Sequence, residues 1–202
     1  MDMFCLDVEG VLLPEIWINV AEHYNVDELR VTTRDIQDYD VLMRQRLRLL
    51  DEHDIKLRDI QRVVAAMGPL DGAKEFLLWL RQRAQVVLLS DTYYEFAMPL
   101  MGELDYPTLL CHTLETDAGG RIAGWQMRQE DSKLAAVQAF KSLNFRVIAA
   151  GDSYNDTSML AAADEGILFC PPDNVVAEFP EFPAVYTHED FKKEILTLTA
   201  TE

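Results

Sequence analysis

The chain has 202 residues, 35 Asp and Glu against 18 Lys and Arg, a formal charge of −17 and an apolar content of 49%. That length suits one domain, or one core domain plus an insertion, and the composition is globular rather than disordered or fibrous. With a pI near 4.5, neither nucleic acid nor an anionic membrane is expected as the main partner, because phosphate groups are gripped by clustered Lys and Arg.

Cys5, Cys111 and Cys170 form no C-x-x-C pair and sit in or beside apolar runs, so they read as buried reduced thiols. Met1 to Asp7 carries no cationic stretch ahead of an apolar one, and no window reaches the ~18 consecutive apolar residues of a membrane span. A cytoplasmic location is expected. The sequence does not decide between a monomer and a homodimer.

In chain order, the first apolar run is Phe4 to Val8. From Glu15 to Pro69 there is no strand signal, only apolar spacing near 3.6, as in Leu42, Leu47 and Leu50, then Ile60, Val63 and Val64. This predicts a helical insertion of roughly fifty residues, a cap over the sheet. Next come a helix over 72–83, a strand at Gln85 to Leu89, a helix over 94–103 and a strand at Thr108 to Cys111. The Gly119-Gly120 pair inside 114–125 predicts a hairpin at the sheet edge.

A helix over 132–142, a strand at Arg146 to Ala150, a helix over 155–163, a strand at Gly166 to Phe169 and a weaker run at Ala184 to Tyr186 complete the pattern. Short runs apolar on both faces, alternating with helices, define an α/β fold with a doubly wound, mostly parallel sheet. The expected division is a catalytic core of residues 1–14 and 70–202 with a cap at 15–69.

Ligands of such sheets bind beyond the carboxyl ends of the strands. There the first strand delivers Asp7 and Glu9, the second Ser90 and Asp91, and the fourth Asp152 and Asp156. Carboxylates converging from separate strands repel one another, and a hard divalent cation such as Mg2+ relieves this. Asp7 is placed to hold that metal with one oxygen and attack phosphorus with the other. Lys133, opening a helix, and the Ser90 hydroxyl are placed to stabilise charge on a transferring phosphoryl group.

The order of these residues resembles the haloacid dehalogenase superfamily, and within it the phosphoserine phosphatase branch. Asp7 and Glu9 match its first motif, Ser90 its second, Lys133 its third, and Gly151, Asp152 and Asp156 its fourth, with Asn155 just before the last Asp as in that branch. The resemblance implies Asp7 as nucleophile and Asp7, Glu9 (through its backbone carbonyl), Asp152 and Asp156 as metal ligands. Where the family has a second Asp this chain has Glu9, which keeps a backbone ligand but displaces the acid–base carboxyl by about an ångström. With Glu15-Ile16-Trp17 and Phe179 to Pro183, that change is similar to a smaller branch of bacterial phosphoserine:homoserine phosphotransferases.

The same resemblance implies a pocket for an amino-acid head group: Glu15 for the ammonium and Arg46 for the carboxylate, with Ser90, Asp91, Lys133 and Asn155 around the phosphate. On residue pattern alone, Arg44, Arg46 and Arg48 read as a solvated helix face, and Glu15 as a first-turn carboxylate after Pro14. Tyr39 and Thr33 read as core or surface residues, with pocket lining as the alternative, and Trp17, Trp79 and Trp125 as packing. His23, His53, His112 and His188 lack ligand spacing. The expected activity is magnesium-dependent transfer of phosphate from phosphoserine to water or homoserine. The alternatives are a phosphatase of another small ester and a phospho-accepting receiver module.

Overall fold

The computed structural model describes residues 1–32, 35–36 and 38–200. Its sheet holds β1 (Asp2–Leu6), β2 (Gln85–Tyr93), β3 (Thr108–Thr116), β4 (Ile122–Gln126), β5 (Arg146–Gly151), β6 (Glu165–Phe169) and β7 (Ala184–Val185) in the order β4-β3-β2-β1-β5-β6-β7. Only the β3–β4 pair is antiparallel. This is the expected mostly parallel α/β sheet.

The central position of β1 explains why its sequence does not alternate polar and apolar. Phe4 and Leu6 pack into one core with Leu88, Ile148 and Ile167, whereas Met3 and Cys5 pack into another with Val87, Val147 and Leu168. Successive side chains enter opposite faces, and both faces are covered.

Between β1 and β2, residues 16–67 hold α1 (Ile16–Tyr24), a short 3-10 turn at Asp27–Arg30, α2 (Tyr39–Glu52) and α3 (Leu57–Met67), with no strand among the described residues. The Asp38 carboxylate accepts the Val41 N–H at 3.1 Å to begin α2, and Asp59 accepts the Lys56 N–H at 2.9 Å to begin α3. The remaining helices are α4 (Ala73–Arg81), α5 (Tyr94–Met101), α6 (Ser132–Ser142), α7 (Thr157–Ala162), α8 (Asp173–Glu178) and α9 (His188–Thr199). None of the described helices is long and apolar enough to cross a membrane.

The hairpin turns at Gly120 (φ +81°), where Asp117 Oδ1 accepts the N–H groups of Gly119 and Arg121. Its tip meets the helical insertion: the Leu57 N–H donates to the Gly120 carbonyl at 3.1 Å, and Arg121 forks onto Asp51. On the opposite side, His188 of α9 places one ring nitrogen 2.9 Å from the Asp71 carbonyl and the other 2.9 Å from that of Val11. It thereby holds together the two chain crossings that flank the insertion.

Several expectations need correction. β2 continues past Leu89 to Tyr93, with a register shift against β3. Asn155 belongs to a 3-10 turn, Tyr154–Asp156, rather than to an α-helix. Helices α8 and α9 had no counterpart in the sequence reading. Cys5 and Cys111 are buried, and burial pushes both thiols up to about 12. Cys170 is exposed instead, just past the end of β6, where its backbone takes a φ of +45°.

Candidate active site

Lys133 lies on the first turn of α6, which Asp131 caps by accepting the Leu134 N–H at 3.4 Å. Its side chain is 2% exposed, and its ammonium faces three carboxylates: Asp156 Oδ1 at 2.7 Å, Asp7 Oδ1 at 3.0 Å and Asp91 Oδ2 at 3.4 Å. Asp7 Oδ1 also accepts the Val8 N–H at 2.8 Å, so this oxygen is anchored twice while Oδ2 carries neither bond. Asp156 Oδ2 accepts the N–H groups of Asp152 and Ser153 at 2.9 and 3.2 Å, fixing the loop after β5.

Two glycines permit this convergence. A Cβ on Gly10 (φ +78°) would lie 2.5 Å from Asp152 Cγ, and one on Gly151 would lie 2.2 Å from Asp156 Cγ. The acidic loops close on one another only because those positions carry no side chain.

The electrostatics follow from burial among like charges. Burial lifts the Asp7 carboxyl well above its ordinary value, with the charges of Asp156 and Asp152 adding to it and Lys133 opposing. Burial, then Asp156 and Glu15, bring Asp152 to about 6. Burial works against the Lys133 charge, yet Asp156, Asp7 and Asp91 raise its pKa well above the usual value. Burial would also raise Asp91, but Lys133 and hydrogen bonding hold it well below the carboxylate range.

Oxygens of Asp7, Asp152 and Asp156 lie within 4.8 Å of one another. Hard donors, close together and short of compensating positive charge, are the set a small divalent cation fits.

Of the predicted site residues, Asp7, Glu9, Glu15, Arg46, Ser90, Asp91, Lys133, Asp152 and Asn155 line one cavity of about 880 Å³, and Asp156 lies fully buried against Lys133. Ser90 is buried, and its Oγ accepts the Thr92 N–H at 3.2 Å. Asn155 donates to Asp91 Oδ2 at 3.0 Å. Glu9 Oε2 accepts the Ile16 N–H at 2.8 Å, and its carboxyl is pushed up to about 7 by burial and by Glu15. Glu15 occupies the N-cap of α1 without a side-chain capping bond, which leaves its carboxylate to the cavity.

The arginine run divides by environment. Arg44 and Arg48 are exposed and pair with Asp40 and Glu52 on their own helix, as the residue pattern suggested. Arg46 is 6% exposed, lies 4.4 Å over the Trp17 ring and donates to the Val31 carbonyl at 3.0 Å. Trp17 is therefore a cavity wall rather than plain packing, and Tyr39 lines the cavity too, the alternative its sequence position left open. The Tyr39 hydroxyl lies 2.7 Å from that of Tyr93. Thr33 lies outside the described residues. The sequence reading missed Thr92, which lines the cavity with Glu9, and His112, which faces Asp91.

A carboxylate beside a buried ammonium, on the rim of a mostly parallel sheet, is an arrangement suited to phosphoryl transfer. The family model that matches residues 1–164 is that of haloacid dehalogenase-like hydrolases, and the chain belongs to this family. It is 63% identical over 196 residues to the phosphoserine phosphatase ThrH of Pseudomonas aeruginosa, covering 97% of this chain and 96% of that one. To a phosphoserine phosphatase of Pseudomonas syringae pv. tomato it is 60% identical over 202 residues, covering 100% and 85%. A substrate-bound phosphoserine phosphatase structure superposes with a TM-score of 0.75 at 18% identity over 97% of each chain, a likeness of fold.

Proposed function

We propose that this chain is a magnesium-dependent phosphatase of O-phospho-L-serine that phosphorylates itself at Asp7 and passes the phosphate to water or to L-homoserine. The observation that carries the reading is one cavity lined both by groups suited to phosphoryl transfer, Asp7 and Lys133, and by an acid and a guanidinium, Glu15 and Arg46. A phosphate ester bearing an ammonium and a carboxylate matches both sets of groups. The names of the two Pseudomonas relatives agree with this substrate.

In this reading residues 1–14 and 70–202 are the catalytic core and 15–69 the cap. Arg46, its plane set by Trp17, takes the substrate carboxylate, and Glu15 the ammonium. Asp7 Oδ2 attacks phosphorus, the bond to the serine oxygen breaks, and Glu9 delivers the proton that oxygen needs. An incoming hydroxyl then gives its proton to Glu9 and attacks the aspartyl-phosphate, freeing Asp7. A carboxyl near 7 suits both proton transfers at neutral pH. Asp7, Asp152, Asp156 and the Glu9 carbonyl would hold Mg2+, which supplies neutralising charge for the phosphoryl oxygens. Lys133, Ser90 and Asn155 surround that group.

The test is a panel of phosphate esters with Mg2+, with and without homoserine. Preference for phosphoserine over sugar, nucleotide and aryl phosphates is expected. Preference for one of those others assigns the cavity to a different small ester, and phosphorylation without turnover assigns it to a signalling module.

A further inference from the structure

His112 sits on β3 directly across from Tyr93, where the β2–β3 register resumes after the irregular stretch holding Ser90, Asp91 and Thr92. Its ring is 1% exposed. Nδ1 accepts the Arg128 N–H at 3.1 Å, which places the hydrogen of the neutral ring on Nε2. That Nε2 is buried and has no hydrogen-bond partner. The acceptor facing it is Asp91 Oδ1, at 3.7 Å.

An orphaned buried donor is unfavourable and calls for an explanation. The contacts of Lys133 offer one. An ammonium has three N–H groups, and here three carboxylates face it. A phosphoryl oxygen can gain an N–H of Lys133 only if one carboxylate yields. Asp91 has the longest of the three contacts, 3.4 Å, and its carboxylate is the most exposed. A movement of Asp91 by about 0.7 Å toward His112 would bring its Oδ1 to ordinary hydrogen-bond distance of Nε2.

We propose that His112 is a positioning residue whose Nε2–H takes over Asp91 when a phosphoryl group arrives, releasing one N–H of Lys133 to that group. Asn155, already donating to Asp91 Oδ2, holds the other oxygen during the exchange. Arg128 joins the same unit, because its Nη2 donates to the Ser132 carbonyl at 3.2 Å beside Lys133. The inference rests on the reading of Lys133 as a phosphoryl-stabilising group, and it applies to any phosphate ester.

The experiment compares His112→Phe, which keeps a ring and removes the donor, with His112→Gln, which keeps an N–H near Nε2. Turnover of phosphoserine and of an aryl phosphate, affinity for inorganic phosphate and thermal melting are measured for each. His112→Phe is expected to lower kcat about tenfold or more for both esters, as loss of an orienting partner does, and to weaken phosphate binding. His112→Gln should recover most of that loss. In an Asp91→Asn background, His112→Phe should add little further loss, because the carboxylate to be drawn off is gone. Wild-type kcat in His112→Phe overturns the proposal. So does an equal loss in a well-folded His112→Gln, or additive losses with Asp91→Asn. Should His112→Phe not fold, His112→Leu replaces it under the same criteria. A chain that cleaves aryl phosphate but ignores phosphoserine defeats the substrate reading alone and leaves this test standing.

Discussion

Glu9 Oε2 accepts the backbone N–H of Ile16 at 2.8 Å, so the acid that follows β1 is also the N-terminal partner of α1. Glu15, the N-cap residue, makes no such bond. Glu9 thus ties the carboxylate assigned to proton transfer to the first helix of the insertion.

Shortening that side chain should separate the two roles. Glu9→Asp is expected to keep hydrolysis, but to lose the bond to Ile16, at about 1 kcal/mol, or about 2–4 °C in melting temperature for a chain of this size. Glu9→Gln keeps an acceptor for Ile16 and loses the transferable proton. It should melt near the wild type and turn over far more slowly. Melting curves and steady-state rates on both variants check this.

Stability of the metal-free chain should fall as pH rises. Asp152 and Glu9 titrate near 6 and 7 in the folded protein, above the ordinary 3.8 and 4.5. A raised carboxyl pKa means that the folded state holds its proton after the unfolded chain has released it. The associated stability is present below about pH 4 and is lost as pH rises through 6 to 7. Melting temperature in chelator should therefore decline over that window, and Asp152→Asn should flatten the decline. Added Mg2+ should raise the melting temperature, most strongly at the upper end, where the acids are charged. A chelated protein whose stability climbs from pH 5 to 8 contradicts this assignment.

Arg46→Ala should raise KM for phosphoserine far more than for an aryl phosphate, since only the first offers a carboxylate. The expected difference is about 1.5–3 kcal/mol for one charge-assisted hydrogen bond. Trp17→Leu should act in the same direction and less strongly, because it removes the ring under the guanidinium 4.4 Å away while leaving the charge. Equal losses for both esters would place Arg46 on the phosphate or in the scaffold.

Homoserine is serine with one more methylene, so in the proposed reading a pocket that holds serine through Glu15 and Arg46 is expected to admit homoserine as a second acceptor. Saturating homoserine is expected to divert phosphate from inorganic release to phosphohomoserine. Unchanged release with no phosphohomoserine would make the chain a phosphatase alone.

The strands were legible in the sequence because apolar runs such as Val86 to Leu89 must be buried on both faces, and the rim residues because they follow those runs directly. Helix α8 has only six residues, too short for a 3.6 period to show. Trp17 was read as packing because an aromatic at helical spacing has the same pattern on a core wall as on a cavity wall. For Trp17 the distinction needs Arg46, which comes from a different helix. His112 carried no signal at all, since its relation to Asp91 depends on the irregular pairing between β2 and β3. The exposure of Cys170 just past the end of β6 is something its apolar neighbours do not announce.

The central claim is that Asp7 becomes phosphorylated by phosphoserine. Acid-quenching the enzyme with Mg2+ and labelled phosphoserine during turnover, then mapping the label by peptide mass spectrometry, tests it directly. One phosphoryl group on the peptide bearing Asp7 is predicted, with none in Asp7→Asn, which should remain folded and inactive. Sustained turnover by Asp7→Asn, or label on another residue, would contradict the account.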